Sequence, residues 1–111
     1  MKTISYGKQS IDKEDIKEVV KVLKSDLLTQ GPKVSEFEKK LSKTFGSKYC
    51  CAVSSGTAAL HLSGRALGWK EDDIIITSPN TFIASANAII YCNAIPAFVD
   101  TDKETYTLDC N

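Results

Sequence analysis

Two sequence rhythms alternate along this chain, and that alternation limits the folds open to it. Segments with apolar residues at helical spacing give way to short runs of β-branched or apolar residues, and back again. Ile16, Val19, Val20 and Leu23 share one stripe, with Asp12 before them as an N-cap and Glu14 and Asp15 in the first turn. The spacing predicts a helix over residues 12–25. A second helix carries Val34, Phe37, Leu41 and Phe45 on one face and stops at Gly46. Residues 49–53 read as a short buried strand, followed by a helix from Thr57 to about Leu67 that Gly68 ends. Ile74-Ile75-Ile76-Thr77 reads as a second buried strand. A helix from Phe82 to about Tyr91 follows, ended by Asn93, and residues 95–99 form a third strand with Pro96 near its start. The order helix, helix, strand, helix, strand, helix, strand predicts an α/β layer, a mainly parallel sheet with flanking helices joined by right-handed crossovers. Ligands gather outside the carboxyl ends of strands in such sheets. The 54–57 turn, the 78–82 turn and Asp100 all follow strands and are expected on that edge.

The stretch Val53-Ser54-Ser55-Gly56-Thr57-Ala58-Ala59-Leu60 carries the most chemistry. A strand-to-helix turn leaves the first amides of the helix without partners, and the aligned peptide dipoles add partial positive charge there. Gly56 permits close approach to the backbone, while Ser54, Ser55 and Thr57 add hydroxyls. Two readings stand side by side: an anion site, with phosphate the usual anion, and an ordinary capped turn in which Ser55 or Thr57 serves the helix alone. Neither a P-loop nor a dinucleotide fingerprint is present, because no Gly-Lys-Ser/Thr and no Gly-x-Gly-x-x-Gly occurs.

Composition narrows the function classes. Lys plus Arg and Asp plus Glu both number 14, so the chain has no basic excess of the kind first sought in nucleic-acid or membrane-surface proteins. No apolar run approaches the roughly 20 residues of a membrane span. With no signal-like segment at the start, a cytoplasmic location is the expectation. Cys50 and Cys51 are adjacent and would point to opposite faces of a strand, and His61 is the single histidine, so no metal site is expected. Cys50, Cys51 and Cys92 read as small buried hydrophobes in a reducing compartment. His61, one turn beyond Thr57, reads as a packed residue rather than a catalyst.

Several stretches, taken in order, resemble the DegT/StrS family of sugar aminotransferases. They are Tyr6-Gly7-Lys8-Gln9-Ser10-Ile11, Leu28-Thr29-Gln30-Gly31-Pro32, Ser55-Gly56-Thr57-Ala58-Ala59-Leu60, Ser78-Pro79-Asn80-Thr81-Phe82 and Ala97-Phe98-Val99-Asp100. The resemblance implies pyridoxal 5′-phosphate as cofactor and fold type I, the aspartate-aminotransferase fold, with this chain the N-terminal part of the large domain. It implies that Gly56, Thr57 and Ala58 hold the cofactor phosphate and that Phe82 stacks on its ring, a task suited to a flat uncharged side chain. Tyr6, Asp26, Leu27, Leu28 and Thr29 match segments that look toward the sugar substrate, and Asp100 matches a structural strand end. The implied partners are a nucleotide-linked keto-sugar and an amino-acid donor, glutamate, in a homodimer without nucleic acid or membrane. Within the family the chain is most similar to members acting in pseudaminic-acid biosynthesis, on a UDP-linked 4-keto-6-deoxy amino sugar.

The family's Schiff-base lysine, the Asp facing the pyridine nitrogen and a phosphate-contacting Ser have no counterpart in these 111 residues. The chain is therefore expected to be a piece of a longer protein, inactive alone. The cap signal at residues 107–111, for a helix that does not follow, points the same way. A dehydratase of the same family, a non-catalytic phosphate-ligand module and an amino-sugar sensor are the alternatives.

Overall fold

The computed structural model describes residues 7–110. They fall into two compact units, one ending at Ala52 and the other starting at Val53. Tyr6, expected near the substrate, lies outside the described residues.

The first unit holds helices α1 (Lys13–Leu23) and α2 (Pro32–Phe45). Three of the four helix boundaries follow from local chemistry. The Asp12 side chain accepts hydrogen bonds from the Glu14 and Asp15 amides at 2.8 and 3.0 Å. Asp15 returns the favour at the Asp12 amide, 3.0 Å away, which closes a capping box. Pro32 occupies the first turn of α2, where a missing N–H costs nothing, and Gly46 ends it in the left-handed region at φ 65°. Neither helix buries a residue, and Ile16, Val19, Leu23, Phe37 and Phe45 are all exposed. α1 stops two residues short of the expected end at 25.

Residues 49–53 do not form the expected strand. They have no ladder partner among the described residues, Tyr49 is exposed, and the Ala52 amide donates to Glu38 Oε1 at 2.8 Å. A strand exists only through hydrogen bonds to a neighbouring strand, and none lies beside this segment among the described residues. The cysteine expectation changes with it: Cys50 is half-buried and Cys51 exposed, and only Cys92 is buried.

The second unit is built around a helix that folds back over a parallel pair of strands. It runs α3 (Gly56–Ala66), β1 (Ile74–Thr77), α4 (Ala84–Tyr91) and β2 (Ile95–Phe98). β1 and β2 pair in parallel from Ile74 opposite Ile95 to Thr77 opposite Phe98. Two flanking bonds extend the ladder, Ile95 N–H to Asp73 C=O at 2.8 Å and Val99 N–H to Thr77 C=O at 3.1 Å. α4 supplies the crossover and packs against α3, β1 and β2. The buried apolar residues are Ala84, Ala86, Ala88, Ile89, Cys92 and Ala94, all in or just after α4. Small side chains let this helix lie close to its neighbours, and Ile89 and Cys92 fill the remaining space. Gly64 of α3 is also buried, because the Trp69 ring and the Cys92 thiol occupy the place a side chain would take.

β1 is not buried on both faces as its sequence suggested. Ile74 and Ile76 are exposed while Ile75 and Thr77 are partly covered, so only one face of the pair has a partner among the described residues. α4 starts at Ala84 rather than Phe82, which leaves Phe82 in the turn ahead of it. Residues 107–110 open no helix: Leu108 bridges antiparallel to Thr101, and the Asp109 amide bonds to the Asp100 carbonyl at 2.9 Å. Asp102 caps the intervening turn, accepting from the Glu104 and Thr105 amides and the Thr105 hydroxyl at 3.0, 2.7 and 2.8 Å. Bonds from the Thr105 amide first, then its hydroxyl and the Glu104 amide, hold the Asp102 carboxyl below the usual carboxylate range.

Candidate functional site

The N-terminus of α3 has the properties of an anion corner. Ser55 is the N-cap in extended geometry, and its hydroxyl accepts from the Ala58 amide at 3.1 Å. The Ala59 amide reaches the Ser55 carbonyl at 3.0 Å, the first bond of the helix ladder. The amides of Gly56 and Thr57 precede that bond, so they have no partner within the helix. No acidic side chain stands in the first turn to compete with an incoming anion. The helix dipole adds partial positive charge on the order of half an elementary charge.

Gly56 needs no glycine for the chain's own sake. A Cβ built there meets nothing within 4 Å, and Gly56 is not among the positive-φ glycines. Its missing side chain leaves open space beside two unpaired donors.

Phe82 shares that space. An open cavity of about 540 Å³ is lined by Gly56, Thr57, Leu60 and Ser63 of α3 and by Phe82 and Ser85 across from them. The volume lies within the range of small-molecule sites. Phe82 is 74% exposed, so the chain's own packing does not use most of its ring. Gly56, Thr57 and Phe82, singled out from sequence, are thus brought together. Ala58 differs from them, because its amide is already taken by Ser55. Asp100 is exposed and follows β2, where its carboxylate accepts from the Thr101 amide at 2.8 Å.

Sequence reading missed the two other polar lining residues, Ser63 and Ser85. Ser63 lies seven positions after Gly56, on the same helix face, and that spacing alone could have found it. Ser85 carries no motif signal of its own within the 82–91 segment. His61 packs edge-to-face on Tyr91, with ring centroids 5.5 Å apart.

The loop expected to face substrate belongs to the first unit. Leu27 and Leu28, both exposed, line a separate cavity of about 280 Å³ with Lys21, Gly31, Pro32 and Lys33, and Asp26 and Thr29 do not line it. Lys33 bridges Glu36 at 3.0 Å and Glu18 at 3.2 Å. Hydrogen bonding to Lys33 holds the carboxyls of both glutamates below their ordinary range. No group of His, Cys, Asp and Glu among the described residues could hold a metal ion. Nor is any described helix long and apolar enough to cross a membrane.

Known proteins resemble this chain in sequence and in fold. The UDP-4-amino-4,6-dideoxy-N-acetyl-β-L-altrosamine transaminase of Campylobacter jejuni is 46% identical over 101 residues, which are 91% of this chain and 27% of that protein. Among solved structures, the Helicobacter pylori aminotransferase PseC, involved in pseudaminic acid biosynthesis, superposes with a TM-score of 0.86 at 34% identity. That match covers 97% of this chain and 29% of PseC. Spr1654 of Streptococcus pneumoniae in its PLP form gives the same TM-score and identity over 96% of this chain and 27% of its own. The chain spans about a quarter of the length of the curated relatives it matches. Its α/β fold is that of the fold type I aminotransferases. A family model covers residues 9–111, which includes the α3 corner and the Phe82 turn, and the chain belongs to the DegT/DnrJ/EryC1/StrS aminotransferase family.

Proposed function

We propose that this chain is the N-terminal part of the large domain of a sugar aminotransferase that uses pyridoxal phosphate, and that it supplies the phosphate corner and the ring-stacking aromatic. One observation carries the reading: two unpaired helix N-terminal amides and a largely exposed phenylalanine wall the same cavity. The residues fit the cofactor. Gly56 and Thr57 present amides, and Thr57 a hydroxyl, to a phosphate with no acidic side chain in the first turn of α3, and the place of a Gly56 Cβ is empty. Phe82 offers a flat apolar face that fixes a ring's tilt without adding charge. The Ala58 amide joins them only if Ser55 releases it.

When bound, the cofactor acts as the electron sink that lets an amino group pass between an amino acid and a keto-sugar. The residues of this chain bind and orient, and move no proton. A nucleotide-linked amino-sugar precursor as substrate is supported by the named relatives in Campylobacter jejuni and Helicobacter pylori. Within that class the substrate is proposed to be of the UDP-4-keto-6-deoxy-N-acetylhexosamine type, with glutamate as donor. Tyr6 and residues Asp26, Leu27, Leu28 and Thr29 are proposed to face that sugar, in a cytoplasmic homodimer whose remaining chain carries the lysine.

The test is cofactor retention by the full-length protein. Thr57→Ala removes one hydrogen bond to a charged group, about 1.5–3 kcal/mol, and should weaken retention roughly 10- to 100-fold. Gly56→Val places methyl groups in the cradle and should lower retention while the melting temperature holds. Retention equal to wild type in both variants would overturn the reading.

A further inference from the structure

The Phe82 ring has a function to perform and little to hold it. Most of its surface is open, and it sits in a turn before α4 rather than within the helix. The N-cap position of α4 is Ile83, which has no side chain able to cap, and no side-chain bond closes that helix end. An unheld aromatic would have to be ordered by whatever binds beside it, and that ordering cost weakens binding.

Two hydroxyls bracket the ring in sequence. Thr81 Oγ1 lies 3.3 Å from Ser85 Oγ, so the side chains immediately before and three residues after Phe82 are tied across it. The Ser85 amide donates to the Phe82 carbonyl at 3.0 Å, which fixes the same turn through the backbone. Upstream, the Asn80 amide donates to Ser78 Oγ at 3.0 Å and sets the approach to the turn. Ser85 also lines the cavity that Phe82 shares with Gly56 and Thr57.

We propose that Ser85, through its hydroxyl contact with Thr81, is a positioning residue that presents the Phe82 ring to the cavity in one orientation. The inference rests on the cofactor reading above. Ser85 is not a catalytic residue: it acts through Phe82 by limiting the turn's alternatives before a ligand arrives. Replacing either hydroxyl frees the turn, and replacing both frees it no further, because they form one tie.

The experiment uses the full-length protein loaded with pyridoxal phosphate. Ser85→Ala and Thr81→Val should each weaken cofactor retention about 3- to 10-fold. Each should change the induced circular dichroism of the cofactor band, which reports ring orientation and which a loss of global stability alone would not move. The double variant should match the singles, and Ser85→Thr and Thr81→Ser should restore both readouts. Wild-type retention and dichroism in Ser85→Ala would overturn the proposal, as would losses that add in the double variant. Thr57→Ala and Phe82→Ala, measured alongside, separate the two levels. If they lose cofactor while Ser85→Ala does not, only the positioning role fails; if they too retain it, the cofactor reading fails.

Discussion

The two units obtain their helices by different means. α1 and α2 are specified end by end: a capping box, a proline in the first turn, a left-handed glycine at the stop. Yet they bury nothing among the described residues. α4 is the reverse case at its start: it has no side-chain cap, although Asn93 stops it at φ 62°, and four of its eight residues are buried. The first unit shows that local signals suffice to draw a helix. The second shows, at α4, that a helix can begin without a side-chain cap when packing against a sheet and another helix defines it.

That contrast is broken most forcefully at Ile89, which is 2% exposed. Ile89→Ala should destabilise the second unit by ~2–5 kcal/mol through lost burial and the cavity left behind. Hydrogen exchange in the full-length protein should show α4 and β1 opening together while α1 is unchanged. Gly64→Ala comes next. The added Cβ would lie 2.8 Å from Trp69 Cζ3 and 2.9 Å from Cys92 Sγ, closer than real contacts allow. Overpacking of this kind costs about 1–3 kcal/mol and outweighs the better helix propensity of alanine, near ~1 kcal/mol. A lowered denaturation midpoint would register it, and a raised one would show that the seam between α3 and α4 is looser than described.

In the first unit the expected losses are smaller and confined. Asp12→Ala should cost ~1 kcal/mol, read as faster amide exchange in the first turn of α1, and Asp12→Asn should recover most of it. The smallest effect is back in the second unit, at Asp102. Its folded-state pKa is depressed, so its contribution is fully present above the ordinary carboxylate range and is lost as pH falls through the depressed value. Exchange of the Glu104 and Thr105 amides should quicken as acid protonates that carboxyl. Asp102→Asn should quicken it at neutral pH by roughly two- to tenfold. The ion pairs of Lys33 in the first unit are exposed and should respond to added salt, unlike the buried contacts around Ile89.

What could be read from sequence follows the same division. Asp12, Gly46, Gly68 and Asn93 mark their helix ends correctly, and Ser55 caps α3, because caps and positive-φ stops depend on a few neighbouring residues. The parallel pairing of β1 with β2 through α4 followed from the order of elements. Residues 49–53 were misread because an apolar run states what a segment can bury, not whether a neighbouring strand is present. Ile74 and Ile76 were expected to be covered for the same reason. At the candidate site, Gly56, Thr57 and Phe82 were legible through their motifs and do meet around one cavity. Ser85 was not, since a contact between two hydroxyls four residues apart leaves no motif in the sequence.

The indole of Trp69 lying against the bare backbone of Gly64 and beside the thiol of Cys92 gives this sequence an optical gauge. It is the only tryptophan in the sequence, and thiols quench indole emission at contact. Any event that slides α3 along α4 should therefore brighten the emission, so the close fit that keeps a side chain out of position 64 also makes the seam visible in a fluorimeter.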